Sequence, residues 1–139
     1  MKDSFAAKGG GWVVAQAVVM VAVISTPLFG QSDWPGSWHR TSGAILIAFG
    51  AAAGIAGAVT LGRNRTAYPV PIANAELIQH GIYGRIRHPL YTSLILLGFG
   101  WALWWASPIG LAVSMALTLL LNAKAGFEEQ KLRGIFTEY

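Results

Sequence analysis

No cysteine occurs among the 139 residues. Disulfides, iron–sulfur clusters and thiol nucleophiles are therefore excluded, and the redox compartment stays open. Charge is also scarce: Asp, Glu, Lys and Arg make up 12% of the chain, about half the share usual in soluble domains. Ten basic residues against six acidic ones give a formal charge of +4, a modest excess whose placement matters more than its size. No nucleic-acid partner is expected. Internal repeats, low-complexity tracts and soluble-domain linkers are missing too. Gly9-Gly10-Gly11 lacks the flanking strand and the Gly-Lys-Ser/Thr ending of a phosphate loop, and reads as a flexible entry to the first apolar run.

What is present is apolar, at 54% of the residues. Four apolar segments, uncharged but for Lys124 near the end of the last, predict membrane spans: Trp12–Phe29, Ser42–Gly62, Pro89–Ala106 and Pro108–Phe127. From Pro89 to Ala123 nothing carries a formal charge, a run too long for one crossing of ~20 residues. Ala106-Ser107-Pro108 supplies the turn, since proline suits the first turn of a new helix. The last two spans then form a hairpin. Trp101, Trp104 and Trp105 at its far end suit an aromatic belt. The expected class is all-α, an integral membrane protein of about four transmembrane helices in a single domain, residues 1–139.

The basic residues set the expected orientation. Lys2 and Lys8 precede span one; Arg63, Arg65, Arg85 and Arg87 separate spans two and three; Lys124, Lys131 and Arg133 follow span four. The opposite loops offer only Arg40, so both termini and the 63–88 segment are expected to face the cytoplasm. Lys2, Lys8 and residues 12–24 also fit a cleaved signal peptide, but no convincing small-x-small site lies near Ser25 and Pro27 follows at once. Pro69 and Pro71 make residues 63–79 an extended interfacial connection. Gly50 and Gly54, with Gly57 nearby, form a small-xxx-small face. It serves either a homo-oligomer or, more plainly, packing within the same bundle. His39, His80 and His88 are the only histidines. A zinc site needs three or four ligands, and His39 is expected on the far side of the membrane, so no metal site is predicted. His39 with Trp34 and Trp38 reads as an interfacial loop.

Chemistry concentrates at Gly81-Ile82-Tyr83-Gly84-Arg85-Ile86-Arg87-His88-Pro89-Leu90-Tyr91. With Pro89 at the first helical position, His88 is the expected cap of span three. The unpaired N–H groups beginning at Leu90, with Arg85 and Arg87, would make a site for a carboxylate or phosphate. Tyr83 and Tyr91 supply ring faces and hydroxyls. The plainer reading is a positive-inside cap with interfacial tyrosines. A second cluster follows span four. Continued as a helix, it places Glu128, Leu132, Phe136 and Tyr139 on one face. Glu129 and Arg133 are spaced as an i,i+4 pair. Glu128, on an apolar face, calls for a cation: Lys124, an arginine of residues 85–87, or a ligand.

The pattern Gly-x-Tyr-x-x-x-Arg-His-Pro-x-Tyr at Gly81–Tyr91 resembles the isoprenylcysteine carboxyl methyltransferase family. So does Glu-Glu-x-x-Leu-x-x-x-Phe-x-x-Tyr at Glu128–Tyr139, a pattern shared with the related phospholipid methyltransferases. The resemblance covers about residues 75–139. It implies a membrane-embedded methyltransferase with a cytoplasmic cofactor pocket, using S-adenosylmethionine and releasing S-adenosylhomocysteine. Family cofactor contacts would fall on Ala75, Glu76, Leu77, Ile78, Tyr83, His88, Pro89, Leu90, Tyr91 and Glu128. Lys124 stands where the family has an arginine that handles the substrate carboxylate; lysine keeps the charge but loses the bidentate fork. Arg87 and Glu129 complete the candidate catalytic set. Relatives continue with a basic, proline-containing tail beyond the position of Tyr139, so closure over cofactor or substrate is expected to differ. The expected partners are the bilayer and a lipophilic methyl acceptor entering sideways between helices. A carboxylate acceptor needs no general base; an amine or hydroxyl would need Glu129 or His88. Competing readings are a phospholipid N-methyltransferase and a non-catalytic membrane scaffold retaining the fold. A transporter or channel is disfavoured, because no ionisable residue marks a pathway through the spans.

Overall fold

A computed structural model describes residue 4 and residues 9–62 and 79–135. Four helices carry the fold: α1 (Gly10–Ser25), α2 (Trp38–Leu61), α3 (Pro89–Trp104) and α4 (Pro108–Ile135), with short 3₁₀ turns at Thr26–Leu28 and Gly81–Gly84. No strand occurs among the described residues. The segments Gly10–Leu28, Trp38–Leu61 and Pro108–Ile135 are long and apolar enough to cross a membrane, with mean hydropathies of 1.8, 2.2 and 1.5. Helix α3 is apolar but only 16 residues long, about 24 Å of rise. The chain is an all-helical membrane protein.

The outer surface of the bundle has the chemistry of lipid. Val14, Val18 and Val21 on α1, and Ile45, Phe49, Ile55 and Val59 on α2, are all at least half exposed. At ~100° per residue each set falls on one outward stripe of its helix. The inward face of α2 is glycine. A Cβ built on Gly43 would lie 2.7 Å from the Gly100 carbonyl oxygen and the Trp104 nitrogen, and one on Gly54 would lie 2.5 Å from Ser93 Oγ. Gly50 and Gly57 meet Leu96–Leu97 and Pro89–Leu90 in the same way. The glycine stripe is thus occupied by α3, packed antiparallel. This is the packing within the bundle that the spacing suggested: small residues let these two backbones approach, and α3 takes up the room.

The hairpin turn is built as its residues suggest. Ser107 Oγ accepts a hydrogen bond from Gly110 N at 2.9 Å, capping α4, with Pro108 first in the helix. Ser32 N donates to the Ala106 carbonyl at 2.8 Å, tying the α1–α2 loop to this end. Helix α2 begins four residues earlier than Ser42, and this moves His39 out of the loop. His39 lies in the first turn of α2, 8% exposed, with Nδ1–H donating to the Leu103 carbonyl at 3.0 Å. Trp34 and Trp38 stack on each other and meet its ring edge-on. The Leu103 carbonyl, at the end of α3, also accepts from Ala106 N at 3.0 Å, so the imidazole takes up its second lone pair.

Helix α1 lies along α4. Trp12 and Phe127 meet at 6.0 Å, Gln16 meets Lys124, and Val23 joins Leu117 and Leu121 in the small core. A cavity of about 320 Å³ opens beside that core, walled by Met20, Val23 and Ile24 of α1, Ile47 of α2, Leu94, Leu97, Gly98 and Trp101 of α3, and Leu117 of α4.

Candidate functional site

Helix α4 continues unbroken past the apolar run to Ile135, and this brings its acidic pair beside the start of α3. Tyr91 donates its hydroxyl to Glu128 Oε2 at 2.7 Å. His88 Nε2–H donates to Glu129 Oε1 at 3.0 Å, and its Nδ1 stands 3.9 Å from Glu128 Oε2. The His88 and Tyr91 rings stack 5.3 Å apart and 8° from parallel, as one turn of helix between them requires. Arg87 Nη1 reaches Glu129 Oε2 at 3.5 Å. Residues 37 to 41 positions apart in sequence thus form one network across the hairpin.

Several expectations change in detail. His88 occupies the cap position of α3, but its side chain makes no capping bond; the carboxylate of Glu129 is the stronger partner for an imidazole N–H. The same carboxylate draws Arg87, so the arginine faces an acid rather than the helix N-terminus. Glu129 reaches across to His88 and Arg87 in place of a close pair with Arg133. Arg85 is exposed. Glu128 accepts from the Tyr91 hydroxyl.

Lys124 is 1% exposed. Its Nζ donates to Gln16 Oε1 at 2.6 Å and lies 5.2 Å from the centre of the Tyr91 ring, within cation–π range. An ionisable side chain therefore does lie inside the helix packing, contrary to the expectation of wholly uncharged span interiors. Gln16 was not among the candidates. A lone amide in an apolar run carries no motif, and the only available signal was the cost of placing a polar side chain there.

Tyr83, in the 3₁₀ turn, is half-buried. Burial first, and the nearby Glu128 charge second, push its phenol above the ordinary 10.0. Pro89 is buried against α2 and Leu90 half-buried beside it. Ala75, Glu76, Leu77 and Ile78 lie outside the described residues, as do Phe136 and Tyr139. Among the described residues no group of three or more His, Asp or Glu side chains is placed to hold a metal ion.

The profile of the phospholipid methyltransferase family matches residues 38–139. The chain belongs to that family. The match takes in α2, α3 and α4 and leaves α1 outside, so the shared region reaches further back than the two motifs alone indicated. Among curated proteins, the chain is similar to the cobalt-zinc-cadmium resistance protein CzcN of Cupriavidus metallidurans, with 32% identity over 125 residues, 88% of this chain and 55% of that protein. The chain thus spans about half the length of the curated relative it matches. No solved structure matches it.

The residues brought together fit the cofactor of such a family by their chemistry. Stacked aromatic faces suit an adenine, partly exposed carboxylates suit hydroxyl or ammonium groups, and a lysine suits a carboxylate. Glu128 and Glu129 keep 28% and 24% of their side-chain surface open, so both retain room for a further partner.

Proposed function

We propose that this protein is an S-adenosylmethionine-dependent methyltransferase embedded in the membrane, acting on a lipophilic acceptor at its cytoplasmic face. One observation carries the reading: the two family motifs, distant in sequence, meet as His88–Glu129 and Tyr91–Glu128 at the end of the hairpin. Family membership and the apolar cavity support it. The sidedness follows from the clustering of basic residues on that end.

When bound, the cofactor supplies an electrophilic methyl group for in-line displacement. The protein's part is then largely positioning. Tyr91 fixes one oxygen of Glu128, and His88 with Arg87 fixes Glu129, so each acid presents its remaining lone pairs in a set direction. His88, Pro89, Leu90, Tyr91 and Glu128 would hold the cofactor, with Ala75, Glu76, Leu77, Ile78 and Tyr83 in the family contact positions. Lys124 would meet an anionic group of the acceptor, and the apolar cavity would take its chain. The charge of Lys124 favours a carboxylate-bearing acceptor of the isoprenylcysteine type over the ammonium head of a phospholipid amine. A carboxylate is already ionised and needs no base; for a protonated acceptor the His88–Glu129 pair would receive the proton.

Titration of purified protein in nanodiscs with S-adenosylhomocysteine tests the proposal. Saturable binding is expected. Glu128→Gln or His88→Ala should weaken it by about tenfold or more, as loss of a hydrogen bond to a charged group implies. Well-folded protein without any such binding would leave the scaffold reading in its place.

A further inference from the structure

Lys124 is held from a helix that the family match does not include. Gln16, on α1, accepts from Nζ at 2.6 Å. A lysine ammonium has donors and no acceptor, so the amide must turn its oxygen toward it. The NH₂ end of the same amide points to Met20 Sδ at 3.7 Å, consistent with that orientation, and Met20 forms part of the cavity wall. All three helices show the same order. One turn from Gln16 is Met20; one turn from Tyr91 is Leu94; two turns from Lys124 is Leu117, and each of those second residues lines the cavity. The lysine itself is buried outside the lining, one to two turns beyond it, at the end where the polar side chains of all three helices gather. Glutamine is neutral there. It satisfies a donor without cancelling the charge, whereas a carboxylate would form a closed ion pair.

We infer that Gln16 is a positioning residue: it holds the Lys124 ammonium at the polar end of the cavity, still cationic, to receive the anionic head of an amphiphilic acceptor. This rests on the methyltransferase reading above. It also goes past it, because it assigns acceptor selection to α1, outside the family-matched region. A merely structural role, gluing α1 to α4, makes different predictions.

The test uses the full chain in phosphatidylcholine nanodiscs. Palmitate and its neutral counterpart hexadecanol compete for a fluorescent fatty acid, and S-adenosylhomocysteine affinity and the melting temperature are measured beside them. Wild type should prefer palmitate. Gln16→Glu should weaken palmitate by about tenfold or more through like-charge repulsion, while hexadecanol and S-adenosylhomocysteine stay within about twofold of wild type on the same scale. Gln16→Met should weaken palmitate several-fold, and adding it to Lys124→Met should weaken palmitate no further than Lys124→Met alone. If Gln16→Glu does not fold, this cycle decides alone: non-additivity supports the inference, and additivity overturns it. An absent preference for palmitate, an unchanged preference in Gln16→Glu, or a parallel loss of S-adenosylhomocysteine binding each overturns it. Failure of wild type to bind S-adenosylhomocysteine refutes the methyltransferase reading instead, and the palmitate comparison needs no cofactor.

Discussion

Replacing Gly43 by alanine tests the packing on which the site depends. The added Cβ would stand 2.7 Å from the Gly100 carbonyl oxygen and from the Trp104 nitrogen, where ordinary contact begins at 3.4 Å. Both neighbours are backbone, so no rotamer change relieves the clash, and α2 must part from α3 by roughly 0.7 Å. A gap of that size forfeits about a quarter to a half of each dispersion contact it opens. Overpacking costs of ~1–3 kcal/mol are typical, and the rigidity here points to the upper end. Alanine returns up to ~1 kcal/mol through helix propensity. The expected net loss is about 2 kcal/mol.

Gly126→Ala is the control. It makes the same chemical change in α4, at a position where a Cβ meets nothing within 4 Å, so only the propensity gain of up to ~1 kcal/mol remains. If helices persist in the unfolded state in micelles, that gain shrinks for both variants, and their order is kept. Unfolding by SDS titration in mixed micelles, followed by tryptophan fluorescence and far-ultraviolet circular dichroism, measures the difference. A Gly43→Ala protein no less stable than Gly126→Ala would refute the close approach of α2 and α3.

Two further outcomes follow from single contacts. Ser107→Ala removes the cap on Gly110 N from a fully buried position and should cost about 1–2 kcal/mol in the same titration; a change within about 0.3 kcal/mol counts against the cap. Because burial and the Glu128 charge hold the Tyr83 phenol above 10.0, the folded chain keeps a proton that the unfolded chain sheds as pH passes that value. Stability should therefore fall as pH rises through the window above it. Tyr83→Phe should flatten this fall in melts between about pH 9 and about pH 11, and an unchanged slope would assign it to other groups.

The long elements were legible in the sequence because lipid imposes a simple rule on composition. Uncharged runs marked α1, α2 and the hairpin, and Ala106-Ser107-Pro108 marked its turn. Local spacing failed where partners lie on different helices. Glu129 and Arg133 are correctly spaced neighbours, yet the nearer demand on Glu129 comes from His88, 41 residues away. His39 sat among tryptophans, proline and glycine and read as loop, but it is buried in the first turn of α2 and bonds the Leu103 carbonyl at the end of α3, 64 residues away. Gln16 and Lys124 are 108 residues apart, and nothing in either neighbourhood announces the other. Such pairings depend on how each helix is rotated about its axis, and that rotation is set by packing rather than by periodicity.

That packing gives α2 a part in the chemistry although it contributes no reactive side chain to the network. Glycines at 43, 50, 54 and 57 allow only one face of α3 to lie against α2. The opposite side of α3 then turns Tyr91 toward α4, and the stacked His88 follows. Bulkier residues in the stripe would rotate or displace α3 and separate Tyr91 from Glu128, without touching either motif. The family match begins at the first residue of α2, as this dependence requires. Helix α1 packs on α4 and on α3, where Trp101 Nε1 donates to the Ile24 carbonyl at 3.2 Å, and stays clear of the α2 glycines. An α2–α4 frame carries the shared network, and α1 adds Gln16 beside Lys124 and part of the cavity wall, so the part that would hold a common cofactor and the part that would meet an acceptor draw on different helices.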